Sequence, residues 1–222
     1  MSDAVSEVTS GLKVAIVGGS IAGCTTAIEL VRLGCDVTLY ERTGEELKDR
    51  GAGIGVPPSV IDTFIRRDLV DADIPYFSSQ VFTRLWRTDQ ERRYGYLAWD
   101  QPASLALLNW GGLYRNLRKR VPDYVYRTEH RVVALHEHGN ERVGVELANG
   151  TVPEFDLVVC ADGYTSLGRH TVSRDRHSVR GLCLMARVSP GKRTCRIISS
   201  YEWGALPRVS RGAWYFLFCS RA

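Results

Sequence analysis

Apolar positions change their period several times along the chain, and each change marks an element. Leu12 to Val17 (LKVAIV) is a short apolar run rich in β-branched residues and reads as a buried strand. It ends in Gly18-Gly19-Ser20-Ile21-Ala22-Gly23, and a helical spacing then runs from about Ala22 to Leu33. Gly34 follows, at the position where a left-handed residue stops a helix. Cys35 to Tyr40 (CDVTLY) reads as a second strand, with Glu41 at its end. Strand, helix and strand in this order predict a βαβ unit.

Farther on, Pro57-Pro58 lead into a helix with Val60, Ile61, Phe64 and Ile65 on one face. Arg131 to His138 and Arg142 to Leu147 alternate apolar and polar residues, and Asn149-Gly150 is a hairpin signal. Phe155 to Ala161 (FDLVVCA) reads as one buried strand that ends at Asp162-Gly163, with Ser166 and Arg169 beyond. Past about Val172 the periodicity fades. The pattern predicts an α/β fold built on a Rossmann-like sheet.

Composition narrows the class. The apolar and charged fractions are those of an ordinary globular protein. No run of 18 apolar residues is present, so no membrane span is expected. The polar, acidic start MSDAVSEVTSG is not a secretory signal and reads as a short disordered leader. Six cysteines show no CxxC pair, which fits the reducing cytoplasm; Cys24, Cys35 and Cys160 read as small core residues. His136 and His138 read as a solvated strand face, with no metal expected.

The net charge of +4 is uneven. From Ser166 onward, ten arginines and one lysine face only Asp175 and Glu202, which leaves the rest of the chain net acidic. A basic tail suits nucleic acid or a phosphorylated cofactor. Without a recognisable binding motif, no nucleic-acid partner is expected.

The candidate chemistry lies in the glycine turn. A parallel strand ending at a helix N-terminus leaves unpaired N–H groups and a positive dipole end aimed at one point. Glycines let the backbone approach a pyrophosphate there. Glu41 lies 18 residues after Gly23, close to the spacing of about 20 for a carboxylate on a ribose diol. The usual GxGxxG has glycine where Ser20 stands, so an ordinary βαβ unit with packing glycines is the alternative. Arg50-Gly51-Ala52-Gly53-Ile54-Gly55 reads as a flexible linker or as a contact to phosphate or a ribityl chain, and the leading Arg50 favours the second. Asp162 ends its strand at the sheet edge where open α/β sheets bind ligands.

The set GGSIAG, YER, RGAGI and DLVVCADGYTSLGR resembles the single-component flavoprotein aromatic hydroxylases, within them the 2,6-dihydroxypyridine 3-hydroxylase type. In that group Ser is usual at the position of Ser20, and Asp162, Gly163, Ser166 and Arg169 match its DG motif. Leu107 to Leu117 resembles a helix that begins with a polar flavin contact, with Trp110 where relatives carry Arg or Gln. The resemblance covers about Leu12 to Arg169. It implies an FAD-binding domain over residues 11–75 and 103–172. Residues 76–102 and 173–222 would be part of a mostly β substrate domain, or an irregular tail. Tyr94, Tyr96 and Trp99 fall in a candidate strand pair of that part.

The implied activity is hydroxylation of an electron-rich aromatic or heteroaromatic ring, using FAD, NAD(P)H and oxygen. Expected cofactor contacts are Gly18, Gly19, Ser20, Ile21, Ala22 and Gly23, Glu41 and Arg42 at the ribose, Arg50 and Gly51 on the flavin side, and Asp162 near the pyrophosphate. No catalytic residue is identified, and a homodimer is left open. Family members are nearly twice as long and carry a second GD motif that this sequence lacks, so a C-terminally truncated hydroxylase is expected. The alternatives are a non-catalytic FAD-binding fragment and an NAD-binding dehydrogenase-like domain. Relatives carry a segment close to GYVAWRGLVP where this chain has GLCLMARVSP, Gly181 to Pro190. Read one nucleotide later, Met185-Ala186 forces a Trp, and the flanking codons permit much of the rest. A change of reading frame between Arg169 and Gly181 is one account of the tail; a divergent genuine tail is the other.

Overall fold

A computed structural model of the chain describes residues 11–44, 47, 53–86, 96–137, 142–163 and 166–168. In chain order the elements are β1 (Lys13–Val17), α1 (Ile21–Arg32), β2 (Asp36–Tyr40), β3 (Gly53–Val56), α2 (Pro58–Arg66), β4 (Phe77–Trp86), β5 (Tyr96–Asn109), α3 (Trp110–Arg118), β6 (Tyr126–Arg127), β7 (Val132–Glu137), β8 (Val143–Leu147), β9 (Glu154–Phe155) and β10 (Leu157–Cys160). They fall into two compact units, one drawn from the chain up to Glu46 and from Arg120 on, the other from Leu47 to Lys119.

The first unit is built on a four-stranded parallel sheet of order β10-β1-β2-β6. Central β1 is buried from Val14 to Val17, as expected of a strand covered on both faces. On one face lies α1, which buries Cys24, Ala27 and Ile28. Its Thr25 and Thr26 hydroxyls bond back to the carbonyls of Ile21 and Ala22 at 2.8 Å, so these buried polar groups are satisfied. On the other face lies the antiparallel sheet β7-β8-β9, whose Val132, Val143, Val145, Leu147 and Phe155 join Ala15, Val17, Tyr40 and Val158 in one apolar cluster.

The βαβ unit matches the sequence reading to within a residue at each boundary. Gly34 takes φ +81°. Its N–H bonds Val31 O at 3.0 Å and the next N–H, of Cys35, bonds Leu30 O at 3.1 Å, the paired bonds that close a helix on a left-handed glycine. The hairpin at Asn149-Gly150 also forms, with Gly150 N–H on Leu147 O at 2.9 Å.

One strand differs from expectation. Phe155 to Ala161 is not a single strand: Phe155 pairs with Val143 in the antiparallel sheet, whereas Leu157 to Cys160 pair with β1. The break is at Asp156, whose carboxylate accepts the Lys13 N–H at 2.9 Å while its own N–H bonds Lys13 O at 2.9 Å. A polar residue inside an apolar run marks the point where the chain changes sheets.

Cys24 and Cys160 are buried. Cys35 is only half-buried, so it is less a core residue than expected, and burial still pushes its thiol pKa up. His136 is half-exposed and its Nε2 lies 2.6 Å from Glu146 Oε2; His138 is outside the described residues.

The second unit holds an antiparallel sheet of order β3-β5-β4. Ala106 and Leu108 of β5 are buried, as are Ile61 and Phe64 of α2 and Leu113, Tyr114 and Leu117 of α3. Pro58 opens α2 at its first helical position. The stretch from Leu107 is not helical throughout, as its resemblance implied: Leu107 to Asn109 end β5, and the Asn109 side chain caps α3 by accepting the Gly112 N–H at 2.9 Å. Trp110 stacks on Tyr114 with ring centroids 5.4 Å apart. Trp99 lies on β5, half-exposed, and pairs with Arg84 of β4; Tyr94 is outside the described residues. The expected boundary at residue 76 adjoins the start of β4, and the one at 102 falls inside β5.

Candidate dinucleotide-binding site

Three adjacent parallel strands end at one edge of the first unit's sheet. β1 delivers the glycine turn, β2 delivers Glu41 and β10 delivers Asp162. Three segments far apart in sequence therefore converge, at the edge where ligands of open α/β sheets bind.

The turn is held tightly. Gly18 has φ +102°, and a Cβ there would lie 2.6 Å from Ala161 O, so the turn presses on the end of β10. Gly18 N–H bonds Tyr40 O at 2.9 Å. Gly19 is buried, and a Cβ on it would lie 2.1 Å from the Tyr126 hydroxyl. The Glu41 carboxylate is buried as well. Its Oε2 accepts the Gly19 N–H at 2.8 Å, and its Oε1 accepts the Thr43 N–H at 3.0 Å and the Thr43 hydroxyl at 2.9 Å. The residue expected at a ribose thus also braces the turn.

The first bond of α1 runs from Cys24 N–H to Ser20 O at 2.8 Å. The N–H groups of Ile21, Ala22 and Gly23 precede it and have no partner within the helix. The Ser20 side chain makes no capping bond, so the helix end offers its backbone donors to a ligand. Arg42 is exposed beside Glu41. Arg50 and Gly51 lie outside the described residues, as does Arg169.

At Asp162, Oδ2 accepts the Leu167 N–H at 2.8 Å. Its Oδ1 is buried with no hydrogen-bond partner, and so is the hydroxyl of Ser166, which is 3% exposed. Two buried oxygens without partners at a ligand-binding edge are the polar atoms a bound molecule would satisfy.

Tyr126 escaped the sequence reading. It sits on β6, opposite Leu39 of β2, and its hydroxyl donates to Gly19 O at 2.9 Å across 107 residues of sequence. The Cys24 thiol reaches the same carbonyl at 3.3 Å. No local pattern marks either contact.

Glu41 is tied by its backbone to β6 and the loop after it, through Glu41 N–H to Arg127 O at 2.8 Å and His130 N–H to Glu41 O at 2.9 Å. Beside that loop lies an open groove of about 480 Å³, lined by Thr38, Tyr40, Arg127, His130 and the β8–β9 hairpin. Tyr40 stacks on His130 with ring centroids 6.0 Å apart. Burial pushes the Tyr40 phenol pKa up, and the Arg127 guanidinium offsets part of that shift.

Residues 11–192 match the sequence profile of an FAD-binding domain family. The chain is 31% identical over 195 residues to 3-amino-4-hydroxybenzoate 2-monooxygenase of Streptomyces platensis, covering 79% of this chain and 47% of that protein. It is 29% identical over 159 residues to 2,6-dihydroxypyridine 3-monooxygenase of Paenarthrobacter nicotinovorans, covering 71% of this chain and 38% of that protein. The solved 2,6-dihydroxypyridine-3-hydroxylase of Arthrobacter nicotinovorans superposes with a TM-score of 0.62 at 27% identity, covering 75% of this chain and 40% of that one. The chain thus spans less than half the length of these relatives. With the glycine turn, Glu41 and Asp162-Gly163 gathered at one sheet edge and the profile matching most of its residues, the chain belongs to the FAD-binding domain family.

Proposed function

We propose that this chain carries the FAD diphosphate and ribose site of a monooxygenase that hydroxylates an electron-rich aromatic or heteroaromatic ring, with NAD(P)H as reductant and oxygen as co-substrate. The observation that carries this reading is the convergence of the Gly18–Gly23 turn, Glu41 and Asp162 on one edge of the parallel sheet. The relatives' names point to ring hydroxylation, on an aminohydroxybenzoate in one case and a dihydroxypyridine in the other.

The residues present fit FAD. The turn is a cradle that a Cβ at Gly18 or Gly19 would obstruct, and Asp162 Oδ1 and Ser166 Oγ are buried oxygens awaiting a donor. The N–H groups of Ser20 to Gly23 would hold the pyrophosphate, with the helix dipole favouring its charge. Glu41 has acceptor capacity left for a ribose hydroxyl, because a carboxylate offers about four lone-pair sites. Arg42 beside it, and Arg50 and Gly51 on the flavin side, complete the proposed contacts. Bound FAD supplies the redox and oxygen chemistry, while the protein binds, orients and excludes water.

Residues 11–75 and 103–172 would form the FAD-binding domain on this reading, with 76–102 and 173–222 a partial substrate-domain sheet or an irregular tail. No helix among the described residues is long and apolar enough to cross a membrane. The absence of a CxxC pair or a disulfide framework in the cysteine spacing supports a reducing compartment, the cytoplasm. A homodimer is the assembly to check by sedimentation.

The test is to incubate the purified chain with FAD, desalt it and record the spectrum. A retained band near about 450 nm supports the site, and NADH and NADPH oxidation with candidate aromatic substrates then tests the reaction. Retention of NAD in preference to FAD would overturn the assignment in favour of a dehydrogenase-like domain. FAD retention without turnover would leave a binding module.

A further inference from the structure

The contact least expected from sequence is the one between Tyr126 and the glycine turn. Gly19 O accepts two side-chain donors, the Tyr126 hydroxyl at 2.9 Å and the Cys24 thiol at 3.3 Å. Tyr126 and Cys24 are both buried, and they come from different elements, β6 and α1. The carbonyl they hold belongs to the peptide between Gly19 and Ser20. In a trans peptide the C=O and the following N–H point in opposite directions. Drawing Gly19 O toward Tyr126 and Cys24 therefore turns the Ser20 N–H away from them. A glycine on one side of a peptide makes its rotation easy, since no Cβ resists the change. Rotated the other way, the same peptide would present a carbonyl oxygen to a pyrophosphate and repel it.

We infer that Tyr126 is a positioning residue for the diphosphate of the cofactor: with Cys24 it locks the Gly19–Ser20 peptide so that the Ser20 N–H faces the phosphate-binding side of the turn. This rests on the proposed FAD site. Tyr126 touches no phosphate itself and acts through the backbone it holds. The same contact explains why residue 19 is glycine. A side chain there would collide with the hydroxyl that sets the peptide, at 2.1 Å from its Cβ. Glu41 holds the preceding peptide from the other side by accepting the Gly19 N–H, so the two peptides that flank Gly19 are each fixed by a side chain.

The test compares ligands that differ only in the diphosphate. ADP and adenosine are titrated into the wild-type 222-residue chain and into Tyr126→Phe by calorimetry, and the thermal midpoint of each protein without ligand is recorded. Phe keeps the ring and removes only the hydroxyl. The expected result is a loss of about tenfold in ADP affinity, with adenosine affinity unchanged and only the small drop in thermal midpoint that the loss of one hydrogen bond brings. A filler role for the tyrosine would weaken both ligands together or neither, and either result overturns the inference. If Tyr126→Phe does not fold, Cys24→Ala decides by the same comparison, since it removes the second donor to the same carbonyl. Wild-type protein that binds neither ADP nor FAD would instead sink the proposed FAD site, which separates that failure from this one.

Discussion

The Glu41 carboxylate accepts the Gly19 N–H at 2.8 Å, a bond that joins the end of β2 to the turn leaving β1. It is a buried, charge-assisted contact, and its second oxygen is engaged by Thr43. A residue read from spacing as a ribose ligand is therefore also a brace of the turn.

Replacing Glu41 separates the two roles. Glu41→Ala leaves the Gly19 N–H buried without its acceptor, which costs about 1–3 kcal/mol. Urea unfolding of the unliganded chain should register that loss, with a further fall in FAD affinity in direct titration. Glu41→Gln keeps one carbonyl oxygen for Gly19 but sets an NH₂ against the Thr43 donors or the reverse, so its unfolding free energy should lie between wild type and Ala. Equal stability of all three proteins would mean that the bond to Gly19 contributes nothing.

Gly18 and Gly53 make a contrast between glycines. At Gly18 a Cβ meets the Ala161 backbone at 2.6 Å and φ is +102°, whereas at Gly53 nothing stands within 4 Å and φ is not in the left-handed region. Gly18→Ala should destabilise the chain by at least about 2 kcal/mol, because backbone cannot swing away as a side-chain tip does. Gly53→Ala should change stability by no more than about 0.5 kcal/mol. Thermal and urea melts of the two variants check this, and a Gly18→Ala protein as stable as wild type would contradict the packing described at the turn.

Ser166 offers effects of opposite sign. Its hydroxyl is buried without a hydrogen-bond partner, so Ser166→Ala should raise the stability of the chain assayed without cofactor by roughly 1 kcal/mol. If a bound cofactor satisfies that hydroxyl, the same substitution should lower FAD retention after desalting. A variant that gains stability and binds FAD as wild type does would remove Ser166 from the site.

The parts of this structure that were legible in sequence are those set by local rules. The β1–α1–β2 unit announces itself through a change of hydrophobic period and through Gly34, whose left-handed φ closes the helix. Asp162 was found because it follows an apolar run at a sheet edge. The run itself was misjudged at Asp156, since a strand that changes sheets and one that continues straight on have nearly the same pattern. Asn109 as the cap of α3 was missed because a resemblance at the family level does not resolve where a strand hands over to a helix. Tyr126 and Cys24 were not legible as holders of Gly19: a contact across 107 residues depends on the order of strands in the sheet, which no spacing encodes.

Tyr40 gives the chain a distinct response to alkali. Its phenol is neutral when protonated, and burial in the cluster with Phe155 and Val132 disfavours the phenolate, so its pKa in the folded chain lies above the ordinary value of 10.0. As pH rises past about 10, the unfolded chain loses this proton first, and the folded state then binds more protons than the unfolded one. Stability contributed by Tyr40 is therefore complete below that pH and is lost progressively as pH climbs toward the folded pKa. Urea midpoints measured across this range should fall less steeply for Tyr40→Phe than for wild type, once both are referenced to neutral pH. Arg127 works in the other direction, since its charge favours the phenolate. Arg127→Ala should therefore raise the folded pKa further and extend the loss to higher pH. Parallel curves for wild type and Tyr40→Phe would mean that the phenol titrates in the folded chain as it does in the unfolded one.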